Sequence, residues 1–286
     1  MIKSPYPNDF FGPPKRLEEA ESEGVEFFKF IGVENLSQAR KLDAFFILHK
    51  YSEYAQTHPR MITVEDKKFC LGDPMLLYMT GKHPNVPIMT GNTPDEFVNG
   101  IYAESEEDYK NKAKQIFGDN ADRFLSFDEA WRFKENIGYA AVDSLECTTK
   151  SILLKNQEHG GTKECYYYKF KPDIPGWDNP GAFHSSELWF FFETLAKCWR
   201  PFTGHHYDLA RKMCNYWTNF VKSGNPNGFD NDGTPLPEWK PYTKEASCQM
   251  LFESDGPKLC QKSESEFMKF LIEKISGDIL NSKQMK

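Results

Sequence analysis

Apolar residues recur every three to four positions through residues 16–31, where Leu17, Ala20, Gly24, Phe27, Phe28 and Ile31 share one side of an expected helix. A second helix is expected over 36–56, opening near Ser37, with Ala39, Leu42, Phe45, Phe46 and His49 on one side. The pattern then changes to short apolar runs alternating with helices. Residues 86–91 (VPIMTG) form a compact apolar run bounded by Pro and Gly, which predicts a buried strand. A charged helix is expected over about 105–117, and at least one more within 126–153, around residues 130–144. The aromatic run 163–171 (KECYYYKFK) favours a pleated surface and predicts a strand. Residues 206–223 carry Leu209, Met213, Trp217 and Phe220 on one stripe, with Gly224 as a stop. Residues 249–253 (QMLFE) read as a final strand, and 263–280 as a last amphipathic helix bearing Phe267, Phe270, Leu271, Ile275 and Leu280.

Strands alternating with helices predict an α/β fold with a mostly parallel sheet flanked by helices. Three strong strands are few for 286 residues, so part of the sheet is expected to lie outside this chain. No repeat, low-complexity tract or linker divides the sequence, and residues 1–286 read as one partial domain with 1–15 as an irregular lead-in.

Composition narrows the function classes. With 39% hydrophobic, 15% aromatic and 27% charged residues the chain is an ordinary globular sequence rather than a disordered one. A formal net charge of -7 with no concentrated basic face argues against nucleic acid as a partner. No apolar run approaches the roughly 20 residues that span a bilayer, so no membrane association is expected. The seven cysteines are odd in number, scattered and never in CxxC spacing, which predicts reduced thiols and a cytoplasmic location rather than disulfides or a zinc site.

Chemistry concentrates in two segments. In TGNTPDEF (90–97) a strand ends in a turn that delivers acids, and in PGAFHSSEL (180–188) a Pro/Gly loop presents His184. In open α/β sheets ligands gather at the carboxyl ends of strands, where both segments fall. A carboxylate that fixes an imidazole's tautomer, and an imidazole that takes a nucleophile's proton, are two members of a nucleophilic triad. Taken alone the pairing is weak, since a turn acid and a helix-capping loop give the same pattern.

Other features have plainer readings. His205 and His206 with Asp208 suggest a metal site less than the first turn of a solvated helix. The stretch 230–233 (DNDG) fails as a calcium loop, because aligning Gly233 with its glycine puts Gly228 and Trp239 at ligand positions. Phe190, Phe191 and Phe192 suit an acyl pocket and core packing equally, and Glu104–Asp108 reads as a helix N-terminal charge cluster.

The sequences around both segments resemble the type-B carboxylesterase and cholinesterase family. TGNTPDEF is similar to the family's Gly-x-x-x-Asp-Glu turn, and GAFHSSELWFFF to its Gly-x-x-His-x-x-Glu/Asp segment. YWTNFVKSGNPNG and LPEWKPY are similar to its Trp-x-x-Phe-x-x-x-Gly-x-Pro-Asn helix end and Trp-Pro-x-Tyr turn. These motifs occur in the family's order over roughly 16–255, acid before histidine as in α/β-hydrolases. The resemblance implies Glu96 as triad acid, His184 as general base and Glu187 as a buried supporting carboxylate. It implies a small-molecule ester as substrate and no cofactor or metal. Phe97 departs from the Gly of many members.

The serine is missing from the pattern. No Gly-x-Ser-x-Gly occurs anywhere, and His159-Gly160-Gly161 lies after Glu96, where the family's oxyanion loop does not belong. Ser185 and Ser186 are too close in sequence to His184 to face it. The chain is therefore expected to be the C-terminal portion of an esterase, inactive alone, with an N-terminal half from another chain as a possible partner. A non-catalytic binding protein on the same scaffold, like the neuroligin-like members, is the alternative. Retention of both Glu96 and His184 counts against it.

Overall fold

The computed structural model describes residues 14–58, 61, 63–95, 100–134, 139–141, 144–160 and 164–281. The chain divides into two compact units, Met1–Leu77 and Tyr78–Lys286.

In the first unit β1 (Lys15–Arg16) leads into α1 (Leu17–Phe30), followed by α2 (Leu36–Ala39), α3 (Ala44–Tyr54) and β2 (Val64–Glu65), which pairs in parallel with β1. The single helix expected over 36–56 is two, because Asp43 interrupts it. The Asp43 carboxylate accepts the N–H groups of Phe45 at 2.9 Å and Phe46 at 3.1 Å, an N-cap that starts a new helix. The apolar face also differs from expectation: Phe45 is 80% exposed, and the unit packs instead through Phe27 against Tyr54, edge to face at 5.3 Å. Helix α4 (Pro74–Met79) follows.

The second unit contains β3 (Ile88–Asn92), β4 (Gly100–Tyr102), α5 (Glu106–Phe117), α6 (Ala121–Leu125), β5 (Tyr139–Ala141), α7 (Ser144–Glu158), β6 (Cys165–Phe170), α8 (Leu188–Phe191), α9 (Gly204–Ser223), β7 (Cys248–Glu253), β8 (Gly256–Gln261) and α10 (Glu266–Asn281). Its sheet has the order β3-β6-β7-β8, with the first two pairings parallel and the last antiparallel. The three strands expected from sequence are present. The fourth, β8, went unrecognised because Gly256 and Pro257 at its start weaken a strand pattern; Pro is tolerated there since β8 lies at the sheet edge. A further correction falls on 130–144, where the described residues do not form one helix. Residues Asp128–Lys134 make a 3-10 helix, β5 follows, and α7 begins only at Ser144. The Trp131 indole N–H donates to the Leu125 carbonyl at 2.6 Å and holds that tighter winding.

The pleat of β6 explains its continuous apolar pattern, since both of its faces are covered. Tyr166, Tyr168 and Phe170 join Met250 and Phe252 of β7 in a core closed by Phe190, Phe191, Leu209, Met213, Tyr216 and Trp239. On the opposite face Cys165 and Tyr167 pack with Leu153 and Tyr242. A second cluster joins Tyr109, Phe117 and Phe124 to Phe267, Phe270 and Leu271 of α10. The SGNPNG and LPEWKPY motifs close on one another: Asn227 accepts the Trp239 N–H at 2.7 Å and donates to its carbonyl at 2.9 Å. That bracket seats the fully buried Trp239 edge-on against Tyr216 and Phe252.

Beside β6 lies a buried ionic group. The Lys150 ammonium meets Glu146 at 2.7 Å and Glu264 at 2.8 Å, and Lys169 meets the other Glu146 oxygen at 2.6 Å. Burial penalises Glu146's charge, yet the two lysines outweigh it and hold its carboxyl below the usual range. None of the seven cysteines forms a disulfide. Among the described residues no helix is long and apolar enough to cross a membrane.

Candidate active site

Parallel pairing of β3 and β6 sends both strand ends the same way, so the segments that follow them emerge side by side. The register runs Gly91 to Tyr168 and Asn92 to Lys169. Gly91 is required by this closeness: a Cβ there would lie 2.3 Å from the Tyr168 carbonyl oxygen. At the end of β3 the buried Asn92 accepts a hydrogen bond from the Tyr167 hydroxyl and donates to the Thr93 carbonyl at 2.8 Å. The turn that follows β3 is thus anchored from inside the sheet.

The chain leaving β6 runs through residues 171–187 without helix or strand, and it returns to the β3 turn. Asp95 and Phe183 form a parallel bridge. The Ala182 N–H donates to the Asp95 carboxylate at 2.9 Å, and the Asp95 N–H donates to the Ala182 carbonyl at 3.3 Å. Gly181 makes the approach possible, with φ at +63° and a Cβ position only 2.3 Å from the same carboxylate oxygen. His184, which follows Phe183, is exposed on a turn. Glu96, which follows Asp95 in sequence, lies outside the described residues, as does Phe97.

Beyond His184 the chain turns tightly. Ser185 has φ of +67°, Ser186 is buried with its N–H on the Phe183 carbonyl at 3.0 Å, and the Glu187 carbonyl accepts the N–H of Phe191 at 2.9 Å. Glu187 is half-buried and adjoins the first turn of α8. Phe190 and Phe191 belong to the core, whereas Phe192 is exposed.

Three residues that sequence reasoning missed hold this loop. Arg200 donates from Nη1 to the Pro175 carbonyl at 3.0 Å and to Asp178 at 2.9 Å, and from Nη2 to the other Asp178 oxygen at 2.8 Å. The guanidinium holds the Asp178 carboxyl below its ordinary range. Asp95 is the third. Its position just before the motif's glutamate was the available signal; Arg200 and Asp178, 22 residues apart, offered none.

His206 is committed to the fold. His206 is buried, its Nδ1 accepts the Thr203 N–H at 3.0 Å and its Nε2 faces the Asp173 carbonyl at 3.2 Å, so it caps α9. Burial lowers its pKa below the ordinary imidazole value. Asp230 instead pairs with Arg211 at 2.9 Å. No cluster of three or more His, Cys, Asp or Glu able to hold a metal occurs among the described residues.

A partly parallel sheet with long loops leaving adjacent strand ends defines the fold class, and solved structures agree. The fold is that of the α/β-hydrolases: a PNB esterase superposes with a TM-score of 0.59 at 19% identity, covering 91% of this chain and 55% of that one. The Geobacillus stearothermophilus carboxylesterase gives 0.55 at 18%, covering 90% and 54%. The family model described as the carboxylesterase family matches residues 128–271, just over half of the 286, and the chain belongs to that family. Similar relatives include acetylcholinesterase 1 of Caenorhabditis elegans, 26% identical over 117 residues, 40% of this chain and 19% of that protein. The bile salt-activated lipase of Rattus norvegicus is 31% identical over 103 residues, 34% and 16% of the two chains. Human cocaine esterase is 36% identical over 87 residues, 28% and 14%. The chain spans about half the length of the solved esterases, and the matched stretches less than a fifth of these curated relatives.

Proposed function

We propose that this chain carries the acid and the histidine of a serine-type carboxylic ester hydrolase, with Glu96 orienting His184. The observation that supports this most directly is the parallel bridge between Asp95 and Phe183, because Glu96 and His184 are the next residues of the two bridged segments. Family membership supplies the reaction class.

In this reading the Glu96 carboxylate accepts the imidazole Nδ1–H, leaving Nε2 to take the proton of an attacking serine hydroxyl. The serine oxygen bonds to the ester carbonyl carbon, and the resulting oxyanion is held by backbone N–H groups. His184 then passes its proton to the departing alcohol, and water repeats the sequence on the acyl group. Glu187 supports the turn that carries His184. The substrate is a small-molecule ester, and the residues of this chain require no cofactor for these steps.

Serine and oxyanion donors come from sequence outside these 286 residues, since no Gly-x-Ser-x-Gly is present. That sequence either precedes this stretch in a longer polypeptide or belongs to a second chain. Its docking edge is β3, which ends the order β3-β6-β7-β8 and is mostly half-buried along its length.

The purified 286-residue chain should hydrolyse p-nitrophenyl acetate no faster than its His184→Ala variant, and a fluorophosphonate should not label it. Stoichiometric labelling of a serine in this chain would overturn the assignment of the nucleophile elsewhere.

A further inference from the structure

We infer that Arg200 is a positioning residue for His184, acting through the loop 171–187 rather than on substrate; this rests on the proposed pairing of Glu96 with His184. A connection of this length without helix or strand stays mobile unless its backbone is tied down. Its first part is tied at Asp173, whose N–H donates to Ser254 at 2.8 Å and whose carbonyl faces His206. Its last part is tied at Ala182 and Phe183 by Asp95. Between them Arg200 holds Pro175 and Asp178.

The guanidinium reaches three points of the loop at once. It grips the Pro175 carbonyl and both Asp178 oxygens, and its Cζ lies 5.4 Å from the centroid of the Phe183 ring. On another side it lies 4.6 Å from the Trp199 ring. Phe183 in turn meets Trp189 edge to face at 5.7 Å, so the residue before His184 is held between the cation and the start of α8.

An exposed ion pair would contribute little to anything. This one differs: the Arg200 side chain is only 7% exposed, and its fork is bidentate. Burying a guanidinium is costly when an apolar side chain could fill the same space, so its distinctive contribution is directional. Two planar hydrogen bonds and a ring fix angles that apolar packing leaves free. Gly176 fits the same clamp, with φ at +159° and a Cβ position 2.5 Å from Arg200 Nη1. The consequence is local to the imidazole: a loop fixed at Pro175, Asp178 and Phe183 delivers His184 to the β3 turn in one orientation. Loosened, it would let the ring leave its carboxylate.

The tautomer of His184 reads this out without needing turnover. An imidazole paired through Nδ1–H with a carboxylate is held as the Nδ1–H form, whereas one in water prefers Nε2–H. Nitrogen-15 spectra of the ring, recorded near pH 8.5 on the full chain, should show His184 mainly as Nδ1–H. Glu96→Ala should turn it to mainly Nε2–H. Arg200→Met and Asp178→Asn should each at least halve the Nδ1–H fraction, and Arg200→Lys, keeping the charge but not the fork, should fall between. Should Arg200→Met fail to fold, Asp178→Asn carries the test, because Asp178 sits at the surface. An unchanged tautomer in the Arg200 and Asp178 variants, with Glu96→Ala still altering it, would overturn the positioning role alone. A tautomer indifferent to Glu96→Ala would overturn the pairing itself.

Discussion

At the scale of single residues, several positions show backbone geometry at odds with their side chains. Glu193 ends α8 in a Schellman arrangement, with the Thr194 N–H on the Trp189 carbonyl at 2.8 Å and the Glu193 N–H on the Phe190 carbonyl at 3.2 Å. Its φ is +48°, a conformation that glycine adopts without steric cost. Glu193→Gly should therefore stabilise the chain by about 0.5–1 kcal/mol, the relief of left-handed strain exceeding the added unfolded-state freedom. A thermal melt should rise by about 2 °C. An unchanged or lowered midpoint would mean that the side chain contributes more than the strain costs. The residues proposed to carry chemistry were named from the sequence by resemblance of their motifs. Glu96 and His184 stand in motifs whose order and spacing are specific, and the Asp95–Phe183 bridge brings their neighbours together. Arg200 was illegible because its partners are distant in sequence and a lone arginine before a helix has no signature.

At the scale of elements, strand existence was readable wherever both faces of a strand are buried, as in β6. Boundaries and faces were not. Asp43 splits the 36–56 segment because a cap outweighs periodicity there, and the hydrophobic stripe does not identify which aromatics find a partner. Helix α9 was the clearest helix in the sequence, yet the role of its histidines emerged only from packing. His206 takes the place of the usual acidic or amide residue in a capping box, bonding back to the Thr203 N–H. That bond needs a neutral Nδ1. Burial is the main reason its folded pKa falls below the ordinary 6.5, with the Asp173 carbonyl opposing and His205 lowering it further. The unfolded chain therefore binds this proton more readily than the folded one. Its contribution is full above about pH 6.5 and is lost as the pH falls from there toward the depressed folded value. His206→Gln keeps an acceptor for Thr203 and a donor for Asp173 without titrating. Between pH 7 and 5 the urea midpoint should fall less for this variant than for the parent, and parallel curves would exclude His206 as the titrating group.

At the scale of the molecule, two observations bear on one proposal. β3 ends the described sheet order, and the sequence that holds the two positions proposed as catalytic contains no Gly-x-Ser-x-Gly. The paucity of strands led to the expectation that part of the sheet lies outside this chain, and the chain covers 55% of a solved esterase. The net charge of -7 and the buried Lys150 group speak to solubility and packing rather than to catalysis. Glu96 and His184 are proposed to serve a serine from outside these residues. The most direct test of that proposal is ester hydrolysis after mixing this chain with a polypeptide that supplies further strands and a Gly-x-Ser-x-Gly elbow. Turnover of p-nitrophenyl acetate should appear only in the mixture. The kcat should fall by about 10³-fold or more with His184→Ala and with Glu96→Ala in this chain. A reconstituted activity that survives both substitutions would contradict that proposal.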